Sequence, residues 1–472
     1  MPPLMLASPI RLTNMAKNIG HHRGLVIAGT HSSAGKSSVS MGLMRLLKDK
    51  GWPIKPFKVG PDYIDPGHHA RACSQPSYNL DTVMCTPKYV KDLFSDIMNK
   101  GDIALVEGVM GLHDGASAKS EKGSTAEVAK LLDLPVVLVI DGKAMARSSA
   151  ALVLGYMNLD PKVNLVGVIA NNINSPRHAQ IIKEAIEHHT SAKLLACLPT
   201  VPELRIPSRH LGLQQGIEQK QDIYQKWAKH IESHMDLKLF FKLFKLKKSP
   251  KPSAIKGEPK RWKTKARPCS FNIAVARDEA FQFIYQDTLD FLAHQGFSIS
   301  FFSPINDPHL PKYMDGYYFP GGYPELHAES LSKNRSIIKD IKKAGSSGKM
   351  VIGECGGLMY LGKHITNETG KSIPMVGLFD YSTSIKARKL TLGYRKLKPA
   401  KASNKNLILH GHEFHYSTFT VNNERPEWKN IHNKTAVAVK DGFTTKNCHS
   451  FYTHIYWASN KEWLNHLMES KP

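Results

Sequence analysis

Acidic side chains are in short supply: 40 Asp and Glu stand against 64 Lys and Arg in 472 residues, a formal net charge of +24. Cysteine is scarcer. The six, at 73, 85, 197, 269, 355 and 448, form no CxxC pair, which argues against a zinc site and a disulfide framework. A reducing, cytoplasmic setting fits that usage. No run approaches the ~20 apolar residues that span a bilayer, so no transmembrane segment is expected. Residues 1–23 hold no acid and no long apolar stretch. That argues against a secretory signal and leaves a transit peptide open, with Met15 as an alternative start. The positive charge invites nucleic acid, but its distribution does not. Leu237 to Arg267 alone carries 12 basic residues and one acid, a net of +11. With Pro250, Pro252, Pro259 and Pro268 it reads as a solvated linker. Its first part, LKLFFKLFKLKK, is amphipathic. Packing against the protein is the favoured reading, and lying on a membrane surface the alternative.

What is present is concentrated between Gly24 and Asp65. Leu25–Ala28 is a short apolar run of β type. A loop of small residues follows, ending in Gly35-Lys36-Ser37. Val39, Leu43, Leu46 and Leu47 then share one helical face. Strand, small-residue loop, Lys-Ser and helix is the layout of a phosphate-binding loop. Backbone N–H groups and the helix N-terminus face an anion, Lys36 neutralises phosphate, and the Ser37 hydroxyl suits Mg²⁺. Gly29, Thr30, Ser32, Ala34, Gly35, Lys36, Ser37 and Ser38 are the ATP-binding candidates. The common motif would put glycine at position 30, where this chain has Thr30, with Gly29 one residue early.

From Gly24 to about residue 200, apolar runs alternate with helical segments. The runs are Leu25–Ala28, Ile54–Val59, Ile103–Val106, Val136–Ile140 and Leu165–Ala170. Such alternation predicts a parallel sheet covered by helices. Ligands bind at the C-terminal strand ends of such sheets, where Asp62, Asp65, Glu107, Asp114 and Asn171 collect. Asp65, Glu107 and Asp114 with Ser37 are the Mg²⁺ candidates, since that hard cation prefers oxygen. Any one of these acids reads equally well as a helix cap or a turn residue. Several around a phosphate site without a cation would repel ATP. Lys58, Asp62 and Tyr63 are assigned to the substrate side, with plain surface charge the equal alternative for Lys58 and Asp62. Asn171 suits a purine edge or an ordinary turn.

A second α/β unit starts at Phe271. Ile273–Ala276, Phe297–Phe302, Tyr317–Pro320 and Met350–Gly353 are its expected strands, and Gln286–His294 a helix. The third strand ends in Gly321-Gly322-Tyr323, the fourth in Glu354-Cys355-Gly356-Gly357. A lone Cys on a tight strand-to-helix turn between an acid and two glycines is a nucleophile-elbow arrangement. The alternative is a small buried hydrophobe. A Cys nucleophile needs a base, and histidines follow at 410, 412 and 415 in HGHEFH and at 454 in SFYTHIYW.

Together these stretches resemble the cobyrinate a,c-diamide synthase family, glutamine-dependent amidotransferases of corrinoid biosynthesis. The resemblance runs from Gly24 to about Trp457. It rests on GTHSSAGKSS, PFKVGPDYIDPGHH, NLD at Asn79–Asp81, VEGVMGLHDG, DGKAMARSSAAL and IPSRHLGL in the first half. In the second half it rests on VARDEAFQF, FPGGYPELHAESLSKN, GECGGLMYLG, LGYR and HIYW. A closely related synthetase that amidates nickel-sirohydrochlorin shares the pairing. The early glycine is also the form of the related dethiobiotin synthetase group. The implied fold is an N-terminal P-loop, dethiobiotin synthetase-like parallel-sheet domain joined to a C-terminal class I glutamine amidotransferase-like α/β domain. The expected boundaries are an extension over 1–23, an amidoligase domain over 24–236, the basic linker over 237–269 and an amidotransferase domain over 270–472.

The resemblance implies ATP phosphates and Mg²⁺ at Lys36 and Ser37. Asp65, Glu107 and Asp114 would serve metal and phosphoryl transfer, with Asp62 near the reacting carboxylate. Cys355 would attack the glutamine amide, and backbone N–H groups around Gly321, Gly322 and Gly356 would hold the oxyanion. His454 falls at the family's Ser-Tyr-x-His base, although Phe451 stands where Ser is usual and Ser450 lies one residue early. Tyr456 replaces a frequent second His. The family lacks a third, acidic triad member, and none is named. Acyl phosphates would form on two carboxylates in turn, each meeting ammonia that arrives by an internal passage. The expected partners are a tetrapyrrole polycarboxylate, L-glutamine and ATP, with no nucleic acid and with a homodimer open. A ParA-like ATPase that binds nucleic acid is the rival class, and it has no use for an ECGG elbow.

Overall fold

The computed structural model describes residues 21–469 except 100, 210–211, 249–258, 263–270, 388–389, 401–406, 434 and 436–437. Expectations for residues 1–20 and for most of the proline-bearing stretch after Lys248 lie outside the described residues, as does part of IPSRHLGL.

The Val-, Ile- and Leu-rich runs make a sheet buried on both faces, as parallel strands require. Its path runs Tyr78–Leu80, Ile54–Val59, Ile103–Glu107, His21–Gly29, Val136–Asp141, Leu165–Asn171, Lys193–Leu198. All neighbours on that path are parallel. Leu25, Val26, Ile27, Leu105, Val137 and Val139 are fully buried. The strand ends at Val59, Glu107, Asp141 and Asn171 therefore form one polar edge. A helix over Lys36–Asp49 begins at the lysine itself, entered through Gly35 in the left-handed region with φ 99°. A helix over Asp222–His234 lies across it, close enough that a side chain at Gly42 would strike Trp227 and Ile231.

The segment expected as a solvated linker is partly built into this half, a correction to its composition. Asp236 caps a helix over Leu237–Leu243. Phe240, Phe241 and Phe244 are buried in the core, each stabilising by about 2 kcal/mol. Lys245–Lys248 then adds an antiparallel edge strand beside His21–Gly24. The amphipathic stretch thus spends its apolar face on the protein. Arg261 and Trp262 return to a buried position farther on.

The second sheet has ten strands. Its parallel part runs Phe297–Phe302, Phe271–Ala276, Gly316–Phe319, Met350–Glu354, Cys448–Phe451. An antiparallel part continues through Ala438–Thr445, Pro426–His432, Thr391–Pro399, Leu409–His415 and His454–Ile455. The expected strands and the helix Gln286–His294 are present. The antiparallel part was not foreseen, and it carries His412 and His454.

The two halves share a core. One apolar cluster holds Val26, Phe57 and Tyr63 together with Phe283, Tyr285 and Trp457. Polar contacts cross the same seam: Tyr78 donates to Asp290 at 2.8 Å, Tyr89 to Asp287 at 2.6 Å, and Tyr394 to Asp81 at 2.9 Å. No described helix is long and apolar enough to cross a membrane.

Candidate active site

At the polar edge of the first sheet the phosphate loop closes around fixed anchors. The Thr30 N–H donates to Val139 O at 3.1 Å, and Leu112 N–H to Gly29 O at 2.8 Å. Ser32 is exposed, Ala34 buried, and Ser37 and Ser38 half-buried. Asn171 lies against the loop rather than free of it. Its Nδ2 donates to Ala34 O at 3.3 Å, and a side chain at Gly35 would meet that nitrogen at 2.2 Å. Only glycine tolerates both that approach and the φ. The reading of Asn171 as a turn residue thereby gains a third form, a brace for the loop.

Inside the loop sits a compact cluster of charges. The Ser37 hydroxyl donates to Glu107 Oε1 at 2.6 Å and to Asp65 Oδ2 at 3.2 Å. Lys58 Nζ lies 2.6 Å from Asp65, 3.1 Å from Glu107 and 3.7 Å from Asp62, and donates to Gly108 O at 3.0 Å. Lys58 is 2% exposed, so the surface-charge reading of it is corrected: it is a buried counter-ion, positioned at the end of the Ile54–Val59 strand. Burial alone would push its ammonium down, but Asp65, Glu107 and Asp62 outweigh that and raise it. Burial also pushes Glu107 up, yet Lys58, His69 and Lys36 hold its carboxyl well below the usual range. Burial, with Asp62 and Glu107 beside it, raises Asp65. Burial and Lys58 lower the ammonium of Lys36. A buried charge set is tolerated when its members are paired, and Lys58, His69, Asp65 and Glu107 are paired with one another.

His69 was absent from the sequence reading. Its Nε2 lies 2.7 Å from Glu107 Oε2 and its Nδ1 3.0 Å from Ser77. The helix Ile64–Cys73 supplies both Asp65 and His69, one turn apart on a common face. Only that spacing, five residues after Lys-Val-Gly-Pro-Asp-Tyr-Ile, signalled it. Asp62 accepts the N–H groups of Ile64 and Asp65 at 2.8 and 3.1 Å. It thus caps the helix while its other oxygen faces Lys58, and its side chain is 30% exposed at the rim.

The Ser37 hydroxyl is within hydrogen-bonding distance of both Asp65 and Glu107, a hard-oxygen donor set that fits Mg²⁺, which keeps waters and phosphate oxygens for its other positions. Asp114 does not join them. Its Oδ2 accepts the Gly111 N–H at 2.9 Å within the Gly111–Asp114 turn, the turn alternative. Among the described residues no group of three or more His, Cys, Asp and Glu is arranged to hold a metal ion by itself.

The second centre is the elbow. Cys355 has φ 48° and ψ −101°, a conformation that costs a non-glycine residue about 1–3 kcal/mol and recurs at functional sites. It caps the six-residue helix Gly356–Leu361, and its N–H donates to Phe451 O at 2.7 Å. Gly321 lies flat on the His454 ring, because a side chain there would reach His454 Cε1 at 2.1 Å. A side chain at Gly356 would reach the Gly322 nitrogen at 2.9 Å. The glycines thus place the imidazole and the elbow on two sides of one backbone pair. His454 is 1% exposed with neither ring nitrogen hydrogen-bonded. Burial, with His412 and His415 nearby, pushes it down to about 3. Burial, aided by Glu325 and Glu413, pushes the Cys355 thiol up. Both groups are neutral in this state. Glu354, the acid before the thiol, accepts from Trp457 Nε1 and Tyr318 OH at 2.8 Å each. Burial raises it to about 7.

Tyr63 joins the two centres. It is buried rather than presented to solvent. Its ring stacks on Phe283 at 5.3 Å and lies 4.5 Å from Tyr285 and 4.8 Å from His454. The loop that carries Lys58, Asp62 and Asp65 is therefore in ring contact with the imidazole beside the elbow.

Comparison with known proteins agrees with this pairing of centres. Residues 272–462 match a family model described as a CobB/CobQ-like glutamine amidotransferase domain, and residues 23–208 match an AAA domain model. A cobyrinate a,c-diamide synthase of Dehalococcoides mccartyi is 38% identical over 451 residues, covering 93% of this chain and 96% of that protein. One from Salmonella typhimurium is 36% identical over 461 residues, covering 95% and 98%. One from Picrophilus torridus is 40% identical over 448 residues, covering 92% and 96%.

Proposed function

The chain belongs to the cobyrinate a,c-diamide synthase family of glutamine-dependent amidoligases, and from that premise we propose that it amidates the a and c side-chain carboxylates of cobyrinate. The observation that supports the reading is the contact between Tyr63 and His454. It brings a phosphate-loop carboxylate cluster and a strained cysteine into one buried assembly, as a reaction with a travelling intermediate requires.

A carboxylate does not condense with ammonia at neutral pH, because oxide is a poor leaving group. The substrate carboxylate, near Asp62, attacks the γ-phosphorus of ATP and ADP leaves, giving an acyl phosphate. Lys36 and the loop N–H groups of Gly29 to Ser38 hold the phosphates in line, and positioning supplies most of the rate. Ser37, Asp65 and Glu107 would hold Mg²⁺, which neutralises phosphate charge when bound. Lys58 pairs with both carboxylates and, with His69, keeps Glu107 ionised and aimed. In the other half His454, held unprotonated by burial, takes the Cys355 proton as sulfur attacks the glutamine amide carbon. N–H groups at Gly322 and Gly356 receive the oxyanion. The proton passes to the leaving nitrogen, ammonia departs, and water hydrolyses the thioester to glutamate. Ammonia attacks the acyl carbon, and phosphate leaves.

The test is purified protein with glutamine, Mg-ATP and each of cobyrinate, hydrogenobyrinate and nickel-sirohydrochlorin, read by mass spectrometry. Gains of one and two amides on cobyrinate are expected. Amidation of another tetrapyrrole in its place would move the substrate assignment, and no amide on any of them would overturn the reading.

A further inference from the structure

His412 belongs to neither centre as described. It lies on the strand Leu409–His415, directly opposite Tyr394 on one side and His454 on the other. Residues directly opposite on antiparallel strands project from the same face, with Cβ atoms about 4.5–5.5 Å apart. Tyr394, His412 and His454 therefore form a row across three strands, and the Tyr394 and His412 rings meet edge-on at 5.3 Å. Both ends of the row touch the other half of the protein. Tyr394 donates to Asp81, and His454 lies against Tyr63. The middle of the row is thus closed into the seam. His412 is 5% exposed, and its Nδ1 has no hydrogen-bond partner. An orphaned buried polar atom is costly, and this one belongs to a row whose two ends touch the other half of the protein.

We propose that His412 is the hand-over point for ammonia: its free ring nitrogen accepts an N–H of the ammonia released beside Cys355 and passes the molecule toward Asp62. This rests on the proposed two-centre reaction. No covalent bond forms in the step, and the ammonia lone pair stays free for the acyl carbon. The ring is suited to the task because it does not donate a proton. Burial and the neighbouring Arg395 push it down to about 3, against the opposing pull of Asp62. An imidazolium in that place would convert ammonia to ammonium, which has no lone pair. His415 and His454, the other imidazoles acting on this region, are likewise lowered by burial.

The test is His412→Phe, which keeps a ring in the row and deletes the nitrogen. Three rates are measured on folded protein: glutamate release, amidation with glutamine, and amidation with ammonium chloride. Glutamate release and ammonium-driven amidation are expected to persist. Amide formed per glutamate should fall about fivefold, the worth of one neutral hydrogen bond, with free ammonia appearing in solution. His412→Gln, which restores an acceptor, should recover much of the ratio, and it carries the same measurement if the Phe variant does not fold. An unchanged ratio in both variants would overturn the proposal. So would equal loss of amidation from both nitrogen sources, which would place His412 at the acyl site. If the unaltered protein makes no amide from either source, it is the proposed function that fails. An active wild type with an unmoved ratio sinks the hand-over alone.

Discussion

Replacing Arg261 by alanine tests whether a stretch rich in lysine and proline holds the two halves together. Arg261 is 8% exposed. Its Nε lies 2.9 Å from Asp287, its Nη1 3.2 Å from Asp96 and its Nη2 3.5 Å from Asp290. Asp96 belongs to the first half, Asp287 and Asp290 to the second. The guanidinium also covers the Trp262 ring at 3.9 Å, and the Trp262 indole donates to Tyr89 at 3.1 Å. Removing one partner from a buried charge set costs about 3–5 kcal/mol, because the remaining carboxylates are left uncompensated. With an unfolding entropy of about 2.1 cal/mol/K per residue, a chain of 472 residues loses roughly 1 °C per kcal/mol. The expected fall in Tm is therefore about 3–5 °C if the halves melt together. It should depend on pH. Burial raises the Asp287 carboxyl while Arg261 pulls it down, so the variant raises it further. A folded-state pKa above the unfolded value favours folding at low pH and loses that benefit as pH rises through it. The deficit should accordingly be small near pH 4 and grow toward pH 8. Asp287→Asn in the same chain should restore much of it, since the orphaned charge is gone. A shift below about 1 °C at pH 8, far short of the buried-pair cost, would refute the clasp.

Cys355→Ser should abolish amidation with glutamine and spare amidation with ammonium chloride, measured as product by mass spectrometry, because the thiol only supplies nitrogen. Lys36→Ala should remove both, with some glutamate release surviving, since in the proposed reaction acyl-phosphate formation precedes either nitrogen source. Glu354→Gln should flatten the pH dependence of thermal stability. The wild-type carboxyl, raised by burial to about 7, favours folding at low pH and loses that benefit as pH climbs from about 4.5 to 7. The variant has no such proton to lose, and equal slopes in the two proteins would contradict the burial of that acid as a neutral group.

What was legible in the sequence was what depends on neighbours in the chain. The phosphate loop is one strand, one turn and one helix start, and the Cys355 elbow is another, so spacing alone placed both. The parallel strands were legible because burial on both faces leaves them continuously apolar. Lys58 and Asp114 show where that logic ends. Each is an ordinary charge beside a strand end. Only the fold shows Lys58 compensating three carboxylates and Asp114 closing the turn at Gly111. Tyr63 was read beside substrate on the strength of its neighbours. Its ring contacts are with Phe283, Tyr285 and His454, more than 200 residues away in the numbering, and no local pattern encodes a contact of that range.

In the segment 237–269 the amphipathic LKLFFKLFKLKK packs on the protein as favoured, whereas the solvated-linker reading fails at Arg261 and Trp262. Net charge is an average, whereas burial is decided residue by residue. Lysine is the commonest residue there, so average composition predicts solvent. Yet Phe240, Phe241 and Phe244 enter the first core, and Trp262 packs on Phe291 and His294 of the second half at 5.7 and 4.9 Å. The same segment therefore contacts both domains. Arg261 extends that contact inward, because the Asp287 carboxylate it pairs with also accepts from Tyr456 at 2.8 Å, two residues beyond His454. A chain of paired groups thus runs from a basic connector to the residue that follows the His454–Ile455 strand. The charge that suggested nucleic acid is, at Arg261, turned inward to hold that strand against its neighbour.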